Sequence, residues 1–334
     1  MAVSFADLGR VEAIRQLFEG TGFKPFKEPL SLDCADGKRV VNASRLMLEG
    51  VDFDLVYFPL KHLGYKAVLS ATGELLARLA QPQTVSVVLG ISAKLDFEQV
   101  KELWGGVVTA AKEHGVKSLS LDLQPSRNGL TVSVSASGTT SCGEWPEASS
   151  KDLICVSGSL GAAYFGLQLL EREKMKFEQG STNQESLDHN RMLVAAYLKP
   201  ELDAAVVRQF PDSGITPTYG CLVTRGLSDA LLRLVRDTGL GAKVYADKIP
   251  FEGGSFALGK DMNIDPVSAA MNGGDDLKLL FTVPIMQYET FRRDFQTFTI
   301  IGHLAQANVG AVLVTPEGLE HPVSAQGWSQ DNQD

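Results

Sequence analysis

The stretch Asn272-Gly273-Gly274-Asp275-Asp276-Leu277-Lys278-Leu279-Leu280-Phe281-Thr282-Val283 runs from a glycine turn through two carboxylates into an apolar segment. Glycine lets the backbone turn tightly and approach a ligand closely, and the segment 277–283 is typical of a buried strand. A polar turn at the end of a strand places its side chains on a rigid support. The same pattern is equally typical of a structural turn whose aspartate accepts hydrogen bonds from backbone N–H groups.

The composition narrows the classes of protein and partner. The chain has 334 residues, a formal charge of −9 and 44% hydrophobic residues, which is sufficient for two domains with their own cores. The acidic balance without a basic stripe argues against a nucleic-acid partner. No apolar run is long enough to span a bilayer and no signal-peptide pattern is visible, so we expect a cytoplasmic protein without a membrane partner.

The cysteines and histidines do not predict a metal site. The four cysteines form no Cys-x-x-Cys pair and the five histidines form no His-x-x-x-His pair. Reduced, mostly buried thiols are therefore expected. His114 lies at the end of a predicted helix, where we expect a surface residue that interacts favourably with the helix dipole.

Hydrophobic periodicity predicts alternating helices and strands in both halves of the chain. The predicted helices are 6–19, 64–79, 97–114, 162–173, 227–238 and a segment within 288–298. The predicted strands are 39–42, 46–48, 84–91, 118–123, 130–135, 153–157, 242–246 and 277–283. Strands 118–123 and 130–135 are joined by a turn at 125–129, and the polar segment 174–190 is expected to be mobile.

The segment 137–150 is rich in Ser, Thr and Gly, which is typical of a connection between domains. We predict a first domain over 1–145 and a second over 146–325. A polar tail over 326–334 follows.

Many short motifs, in order over nearly the whole chain, resemble thiamine-monophosphate kinase. This enzyme belongs to a superfamily with aminoimidazole ribonucleotide (AIR) synthase, selenophosphate synthetase and a hydrogenase maturation factor. The segments that carry the resemblance are 48–53 (LEGVDF), 63–67 (LGYKA), 152–161 (DLICVSGSLG), 197–200 (YLKP), 226–227 (GL), 238–244 (TGLGAKV), 249–251 (IPF), 273–282 (GGDDLKLLFT) and 301–304 (IGHL).

The resemblance implies an α/β (α+β) protein with a two-domain AIR synthase-like fold. The N-terminal domain would carry a mixed sheet that pairs with its copy in a homodimer, and the C-terminal domain would be an α/β sandwich. ATP and Mg²⁺ would be the cofactors of an active member, bound between the domains and near the dimer interface, and the activity would be phosphoryl transfer from ATP.

The acidic motifs of the family, whose carboxylates hold the metal, are mostly altered in this chain. An N-terminal Gly-Asp-Asp aligns with Phe26-Lys27-Glu28, and the acid of a Ser-Thr-Asp aligns with Arg45. Two further motifs keep an acid in this chain, at Glu74 and at Asp122. The family's histidine after Glu-Gly-Val is Asp52 here. Glu28, Glu74 and Asp122 are therefore the candidate metal ligands.

The C-terminal Asp-x-Ser-Asp-Gly-Leu motif has two possible alignments. Without a gap it becomes Leu222-Val223-Thr224-Arg225-Gly226-Leu227, so that Arg225 replaces an aspartate. A second alignment, over 226–231, keeps the acid as Asp229 but deletes about one helical turn before Thr238. We prefer the first because it keeps 239–244 in register.

Two arginines thus align with former metal ligands, and they have two interpretations. In the first, Arg45 and Arg225 are solvated or pair with Glu49 and Asp229. In the second, both lie in the former metal site and bind an anion directly, because guanidinium suits phosphate and carboxylate. The candidate ligand-binding residues are Arg45, Arg225, Gly273, Gly274, Asp275 and Asp276.

Three functions are compatible with this resemblance. The preferred hypothesis is a thiamine-monophosphate kinase-related protein that binds a small phosphorylated or anionic ligand, with weakened or lost magnesium–ATP phosphoryl transfer. The alternatives are an active kinase with a remodelled metal site and a related ATP-dependent enzyme with another acceptor. The fold alone does not separate them, because function depends on the site.

Overall fold

The computed structural model describes residues 5–21, 30–34, 37–180 and 184–324. Within this part of the chain the strands form two sheets, one of five strands and one of seven. The five-stranded sheet uses strands from the first half of the chain, and the seven-stranded sheet uses strands from the second half. This mixed α/β architecture confirms the predicted fold class.

The first half is built around two long helices and five strands. Its elements are α1 (Phe5–Phe18), β1 (Leu30–Asp33), β2 (Arg39–Leu48), α2 (Leu60–Leu76), β3 (Gln81–Ser92), α3 (Phe97–Glu113), β4 (Ser118–Ser126) and β5 (Thr131–Thr140).

The strand order of the first sheet is β1-β2-β5-β3-β4. Only β3 and β4 are parallel, and the other neighbours are antiparallel, so the sheet is mixed as expected. Helix α3 supplies the crossover that a parallel pair requires, and it carries β4 to the sheet edge. The turn at 125–129 therefore does not join a hairpin, because β5 returns to the centre between β2 and β3.

Helices α2 and α3 cover one face of this sheet. They pack closely because glycines lie at their contact: a Cβ added to Gly64 would lie 2.0 Å from the Leu103 carbonyl oxygen, and one added to Gly106 would lie 1.9 Å from that of Lys61. The inward side chains of the strands, such as Val87, Leu89 and Val132, are fully buried beneath the helices.

The second half contains seven strands and eight helices among the described residues. The elements are β6 (Leu153–Ser157), α4 (Ala162–Glu178), α5 (Gln184–His189), α6 (Arg191–Leu198), α7 (Val206–Ser213), β7 (Tyr219–Val223), α8 (Gly226–Thr238), β8 (Gly241–Tyr245), α9 (Ser255–Met262), α10 (Pro266–Asn272), β9 (Lys278–Val283), α11 (Tyr288–Asp294), β10 (Phe298–Ala305), β11 (Ala311–Val314) and β12 (Glu320–Pro322). The strand order is β12-β11-β8-β10-β6-β9-β7, and only β8 and β11 pair in parallel.

Helix α2 connects the two halves. A Cβ added to Gly220 of β7 would lie 2.2 Å from the Ala77 carbonyl oxygen, and one added to Gly73 would lie 2.8 Å from the Leu222 side chain. One hydrophobic cluster includes residues of both sheets, from Val41 to Phe295. The predicted domain boundary at 145/146 falls between β5 and β6 and stays a prediction, and the tail 326–334 lies outside the described residues.

Several local predictions were wrong. The two short strands at 39–42 and 46–48 are one strand, β2. The predicted helix ending at 173 was too short, because α4 continues to Glu178 and α5 follows within the polar segment 174–190, whose mobility stays a prediction. His114 is buried, and this burial lowers the pKa of its imidazole.

Candidate functional site

Two turns of the second half meet at the side of α2. The first connects β7 to α8 through Thr224 and Arg225, and the second is the glycine turn before β9. The Asp275 N–H donates to the Thr224 carbonyl oxygen at 2.8 Å, which fixes one turn against the other. Gly274 and Asp275 both have positive φ, +78° and +62°; this conformation is free for glycine but strained for aspartate.

The structure assigns different places to the two glycines and the two acids of this turn. A Cβ added to Gly273 would lie 2.4 Å from Cβ of Tyr164, so this position requires the close approach of α4 that glycine permits. Asp276 is buried and accepts hydrogen bonds from the backbone N–H groups of Gly161 and Ala163, at 2.8 and 3.2 Å. It caps the N-terminus of α4, which is the structural role that the sequence left open.

Burial dominates the protonation behaviour of Asp276. It raises the pKa of this carboxyl to about 7, although the two N–H donors and Lys278 oppose the shift. Asp275, by contrast, is partly exposed and contacts Lys66 of the first half; we call the junction of the two halves at Arg45, Lys66, Arg225 and Asp275 the arginine cleft.

Lys66 is a site residue that the sequence reasoning did not select. Its side chain is only 1% exposed, and its Nζ donates to the Tyr197 carbonyl oxygen at 2.8 Å and to Asp275 Oδ2 at 3.1 Å. The ammonium also lies 3.9 Å from the centroid of the Tyr197 ring, a cation–π contact. Burial lowers the pKa of Lys66, while Asp275 opposes this shift. The sequence does contain a signal for this residue, because Lys66 lies among the apolar residues of a predicted helix.

Arg45 extends from β2 on the face that carries the buried residues Val41, Ala43 and Met47. Its side chain is 12% exposed, and its Nη2 lies 3.5 Å from Asp52 Oδ1. The partner is therefore Asp52 and not the expected Glu49, which accepts a hydrogen bond from the Leu130 N–H. Burial raises the pKa of Asp52, and Asp275 adds to this effect while Arg45 and Arg225 oppose it.

Arg225 lies close enough to Arg45 for the charge of Arg45 to affect the pKa of Arg225. Burial among protein atoms, together with the positive charges of Arg45 and Arg10, lowers the pKa of Arg225 to about 10. The residue is nevertheless exposed to solvent, as expected for a group that lines an open cleft. No hydrogen bond or ion pair joins Arg225 to another residue in the described ranges.

Behind Arg225, a buried network joins α1, α2 and α8. Asp229 contacts Arg10 at 2.9 Å and Arg233 at 3.2 Å, and Arg233 contacts Glu74 at 3.1 Å. Asp229 is therefore engaged by Arg10 and Arg233 instead of the expected Arg225. Glu74 also accepts from the Leu222 N–H at 3.3 Å.

Of the three predicted metal ligands the structure describes Glu74 and Asp122, and these two are not brought together. Glu74 lies on α2, which covers the inner face of the first sheet. Asp122 lies beside Val88 in the β3–β4 pairing, on the opposite face, since Val88 is exposed and its neighbour Val87 is buried. The sheet separates the two acids, and Glu28 lies outside the described residues. Within the described ranges no three His, Cys, Asp or Glu side chains cluster in a way that suits a metal ion.

One cation of the cleft has no ion-pair partner in the described part of the chain. Each of the four carboxylates, Asp52, Asp275, Asp229 and Glu74, contacts a cation within 3.5 Å. The cations in these contacts are Arg45, Lys66, Arg10 and Arg233, whereas Arg225 forms no ion pair with a described residue. An anion in the cleft would neutralise this charge, and the guanidinium fork is suited to phosphate or carboxylate.

Comparisons with known proteins agree with this fold. The family "AIR synthase related protein, N-terminal domain" matches residues 28–140. The thiamine-monophosphate kinase of Aquifex aeolicus is 22% identical over 319 residues, which cover 94% of this chain and 97% of that protein. A solved structure described as AaThiL complexed with AMPPCP and TMP superposes with a TM-score of 0.81 at 21% identity, over 99% of both chains.

A second branch of relatives is more distant. The hydrogenase maturation protein HypE in complex with ATP superposes with a TM-score of 0.63 at 16% identity, over 98% of this chain and 97% of that chain. Residues 28–140 match the N-terminal domain of AIR synthase-related proteins, and the whole chain shares the two-sheet fold of the solved structures. Over nearly its whole length the chain is similar to thiamine-monophosphate kinases, and this distant similarity suggests a kinase.

None of the helices in the described part of the chain is both long and apolar enough to traverse a bilayer.

Proposed function

We propose that the chain binds a small phosphorylated or otherwise anionic ligand between its two halves, through Arg45 and Arg225. We also propose that its magnesium–ATP phosphoryl transfer is weakened or lost. The observation that carries this proposal is the proximity of the two arginines, since the charge of Arg45 lowers the pKa of Arg225 and Arg225 forms no ion pair with a described residue.

The charges of the cleft fit an anion better than a divalent cation. At ~4 Å, a unit charge pair near a protein surface interacts by about 4 kcal/mol, so a guanidinium in place of a carboxylate reverses a large attraction for Mg²⁺. The carboxylates that remain are already in contact with cations, Asp52 with Arg45 and Asp275 with Lys66. The described residues therefore do not fit the metal centre that the superfamily implies.

The second candidate is an active ATP-dependent kinase with a remodelled metal site. Two observations favour it: related structures contain AMPPCP with TMP or ATP, and the Asp52 and Asp275 carboxylates lie close enough for one to raise the pKa of the other. A ligand or Mg²⁺ that displaces Arg45 from Asp52 would free one carboxylate. The acceptor in this case would be a thiamine phosphate or another small phosphorylated compound.

The test is calorimetric titration with ATP and with thiamine monophosphate, each in excess Mg²⁺ and in EDTA. We expect binding of at least one ligand to persist in EDTA. Arg225→Gln should weaken it about tenfold or more, because a charge-assisted hydrogen bond contributes roughly 1.5–3 kcal/mol. Arg15→Gln, at an exposed arginine of α1, is the control and should bind as the wild type does.

The two candidates give opposite results in this titration. Tight ATP binding that requires Mg²⁺, with ADP formation that depends on the metal, would defeat the first proposal and support the kinase. Metal-independent binding that Arg225→Gln abolishes, without ADP formation, would support the first.

We further propose that the chain forms a homodimer through the uncovered face of its first sheet. Helices α2 and α3 cover the other face, whereas this face carries the exposed side chains of Leu46, Leu48 and Val88. Serine hydroxyls on this face already form hydrogen bonds to one another across strands, as Ser44 does with Ser135 at 2.9 Å. Burying them in an interface therefore removes few hydrogen bonds to water. Such a face is suited to pairing with a second copy of itself.

A further inference from the structure

The segment between β2 and α2, residues 49–59, belongs to the first half of the chain but contacts helices of the second half. We call this segment the strap. Its Asp54 Oδ2 accepts a hydrogen bond from Lys174 Nζ of α4 at 2.7 Å. The Tyr57 hydroxyl donates to the carboxylate of Glu171, three residues earlier in the same helix. Two polar side chains of the strap therefore hold one helix across the junction of the halves.

A third contact joins the strap to α6. The Tyr197 hydroxyl donates to the Asp52 carbonyl oxygen at 3.3 Å, and the Tyr197 ring packs edge-on against Phe58, with 5.3 Å between the ring centroids. Phe53 and Phe58 are buried, whereas Val56 is 66% exposed. The inner side of the strap is therefore anchored by aromatic rings, and its outer side faces solvent.

The strap also carries the counter-ion of Arg45. Asp52 Oδ2 accepts a hydrogen bond from the Leu48 N–H at 2.8 Å, and Asp52 Oδ1 lies 3.5 Å from Arg45 Nη2. This turn is closed within the first half, whereas the contacts with α4 reach the second half, which carries Arg225. Because the two arginines belong to different halves, the contacts with α4 help to set the spacing between them.

The two contacts with α4 differ in their exposure to water. The side chains of Asp54 and Lys174 are 26% and 23% exposed, so this ion pair is partly solvated and contributes modestly. Burial, together with the hydrogen bond to Glu171, raises the pKa of the Tyr57 hydroxyl, which therefore stays protonated as a donor. A segment held by a few such polar contacts opens locally at a lower free energy than the core does.

We propose that the strap closes the arginine cleft. In the closed arrangement its contacts with α4 hold the halves so that Arg45 and Arg225 contact the same anion, and in the open arrangement these contacts are lost. An anion bound by both arginines favours the closed arrangement, and closure strengthens anion binding by the same factor. The inference rests on the anion binding proposed above. Lys174 and Tyr57 are positioning residues in it, because they act through the strap.

Hydrogen–deuterium exchange measures the opening of the strap without reference to a ligand. The N–H groups of Gly50 and Phe58 donate to carbonyl oxygens of the strap itself, so their exchange reports its opening. We expect exchange at least about threefold faster in Lys174→Met and in Tyr57→Phe, because each variant loses one contact with α4. Saturating ATP or thiamine monophosphate, in EDTA, should slow the exchange in the wild type.

Isothermal titration with the same two ligands in EDTA measures the effect on affinity. The double variant Tyr57→Phe/Lys174→Met should bind about three- to tenfold more weakly, because only the closed fraction binds with full affinity. Lys174→Arg keeps the positive charge beside Asp54 and should restore both the exchange and the affinity. Lys176→Met is the matched control, because Lys176 contacts Glu173 within α4. This variant should behave as the wild type does.

The outcomes separate this inference from the proposed anion site. If ATP or thiamine monophosphate binds the wild type and the double variant equally well, the strap does not close the cleft, although the anion site stands. If exchange is as fast in Lys176→Met as in Lys174→Met, the effect does not depend on the contact with the strap, and the inference is likewise overturned. Binding of neither ligand would contradict the anion site, and this inference with it.

Discussion

Arg45 shows how much a single residue contributes to the site. In the strand that carries it, inward and outward positions alternate, and Arg45 is half-buried on the inward face, in line with Val41, Ala43 and Met47. An arginine on an inward face needs a counter-ion, which Asp52 supplies at 3.5 Å. If the two short predicted strands had been joined into one, the alternation itself would have predicted this inward direction.

Lys66, which lies on a helix, likewise needs a partner of opposite charge. It is flanked in α2 by the fully buried residues Leu63, Ala67 and Leu69, and a buried ammonium is costly unless it is paired. Asp275 supplies the pair, from a position more than 200 residues later in the chain. The sequence shows that Lys66 needs a partner, but it does not show which acid provides one.

Arg233 gives a prediction at the scale of one residue. Arg233→Met would remove the cation that contacts both Glu74 and Asp229; Asp229 would keep Arg10, but the largely buried Glu74 carboxylate would lose the cation that it contacts. Loss of one partner from such a buried pair costs about 3–5 kcal/mol. We therefore expect the free energy of unfolding, measured by urea denaturation, to fall by about that amount.

The control for Arg233 is a solvent-exposed pair. Lys101 contacts Glu98 within α3, and both side chains are largely exposed, so Lys101→Met should change stability by only about 0.5 kcal/mol. Equal effects of the two substitutions would contradict the assignment of the network as buried and mutually dependent.

At the scale of elements, the contact between α2 and α3 determines how the first sheet is covered. Small residues allow the helices to approach so closely that their backbones touch, at Gly64 and Gly106. Periodicity predicted both helices, but it does not indicate which glycines lie at the contact. Only the positions of the neighbouring atoms distinguish Gly106 from the adjacent Gly105.

These two glycines form a matched pair for the second prediction. Gly106→Ala would place a methyl group 1.9 Å from the Lys61 carbonyl oxygen, so α2 and α3 must move apart, at a cost of roughly 1–3 kcal/mol or more. In Gly105→Ala the methyl group meets no atom within 4 Å, and the higher helix propensity of alanine should stabilise the protein by about 0.5–1 kcal/mol.

Thermal and urea unfolding of the two glycine variants measure these opposite effects. Destabilisation by Gly105→Ala, or tolerance of Gly106→Ala, would show that the helices do not approach as described. The same helices position Lys66 and Glu74, so Gly106→Ala should also weaken ligand binding in the arginine cleft.

The element order explains two wrong expectations. Strands β4 and β5 are consecutive in the chain, yet β5 lies between β2 and β3, because the β3–β4 pair is parallel and uses the edge position. The predicted helix ended at 173 because the segment 174–190 is polar, but an exposed helix is also polar, and α4 continues to Glu178. In both cases local composition was a poor guide to long-range pairing and packing.

At the scale of the whole molecule, the proposed homodimer depends on one uncovered sheet face. A lysine at Leu46, which is 52% exposed on that face, would place charge in a buried interface and be repelled by its copy. We expect the wild type to sediment as a dimer and Leu46→Lys as a monomer, or with a dissociation constant at least about tenfold higher.

The control for the dimer is Phe256→Lys, which removes an exposed aromatic residue from α9 in the second half. It should leave the sedimentation of the protein unchanged. A monomeric wild type, or a Leu46→Lys variant that remains fully dimeric, would exclude this face as the interface.

The sequence by itself determined the fold class, most of the helices and strands, and the ordered motifs of the AIR synthase-related superfamily. These features follow from local patterns: hydrophobic periodicity, glycine at tight turns and short motifs that occur in the same order along the chain. It also indicated the glycine turn, Arg45 and Arg225 as parts of a site, although it left the role of Asp276 open.

Only the tertiary structure decided which charges meet. It brings Arg45, Lys66, Arg225 and Asp275 to one cleft from β2, α2 and two turns of the second half, and it places the sheet between Glu74 and Asp122. The physical reason is that the energy of an electrostatic interaction depends on the distance between the charges and on their burial. The separation of two residues along the chain determines neither.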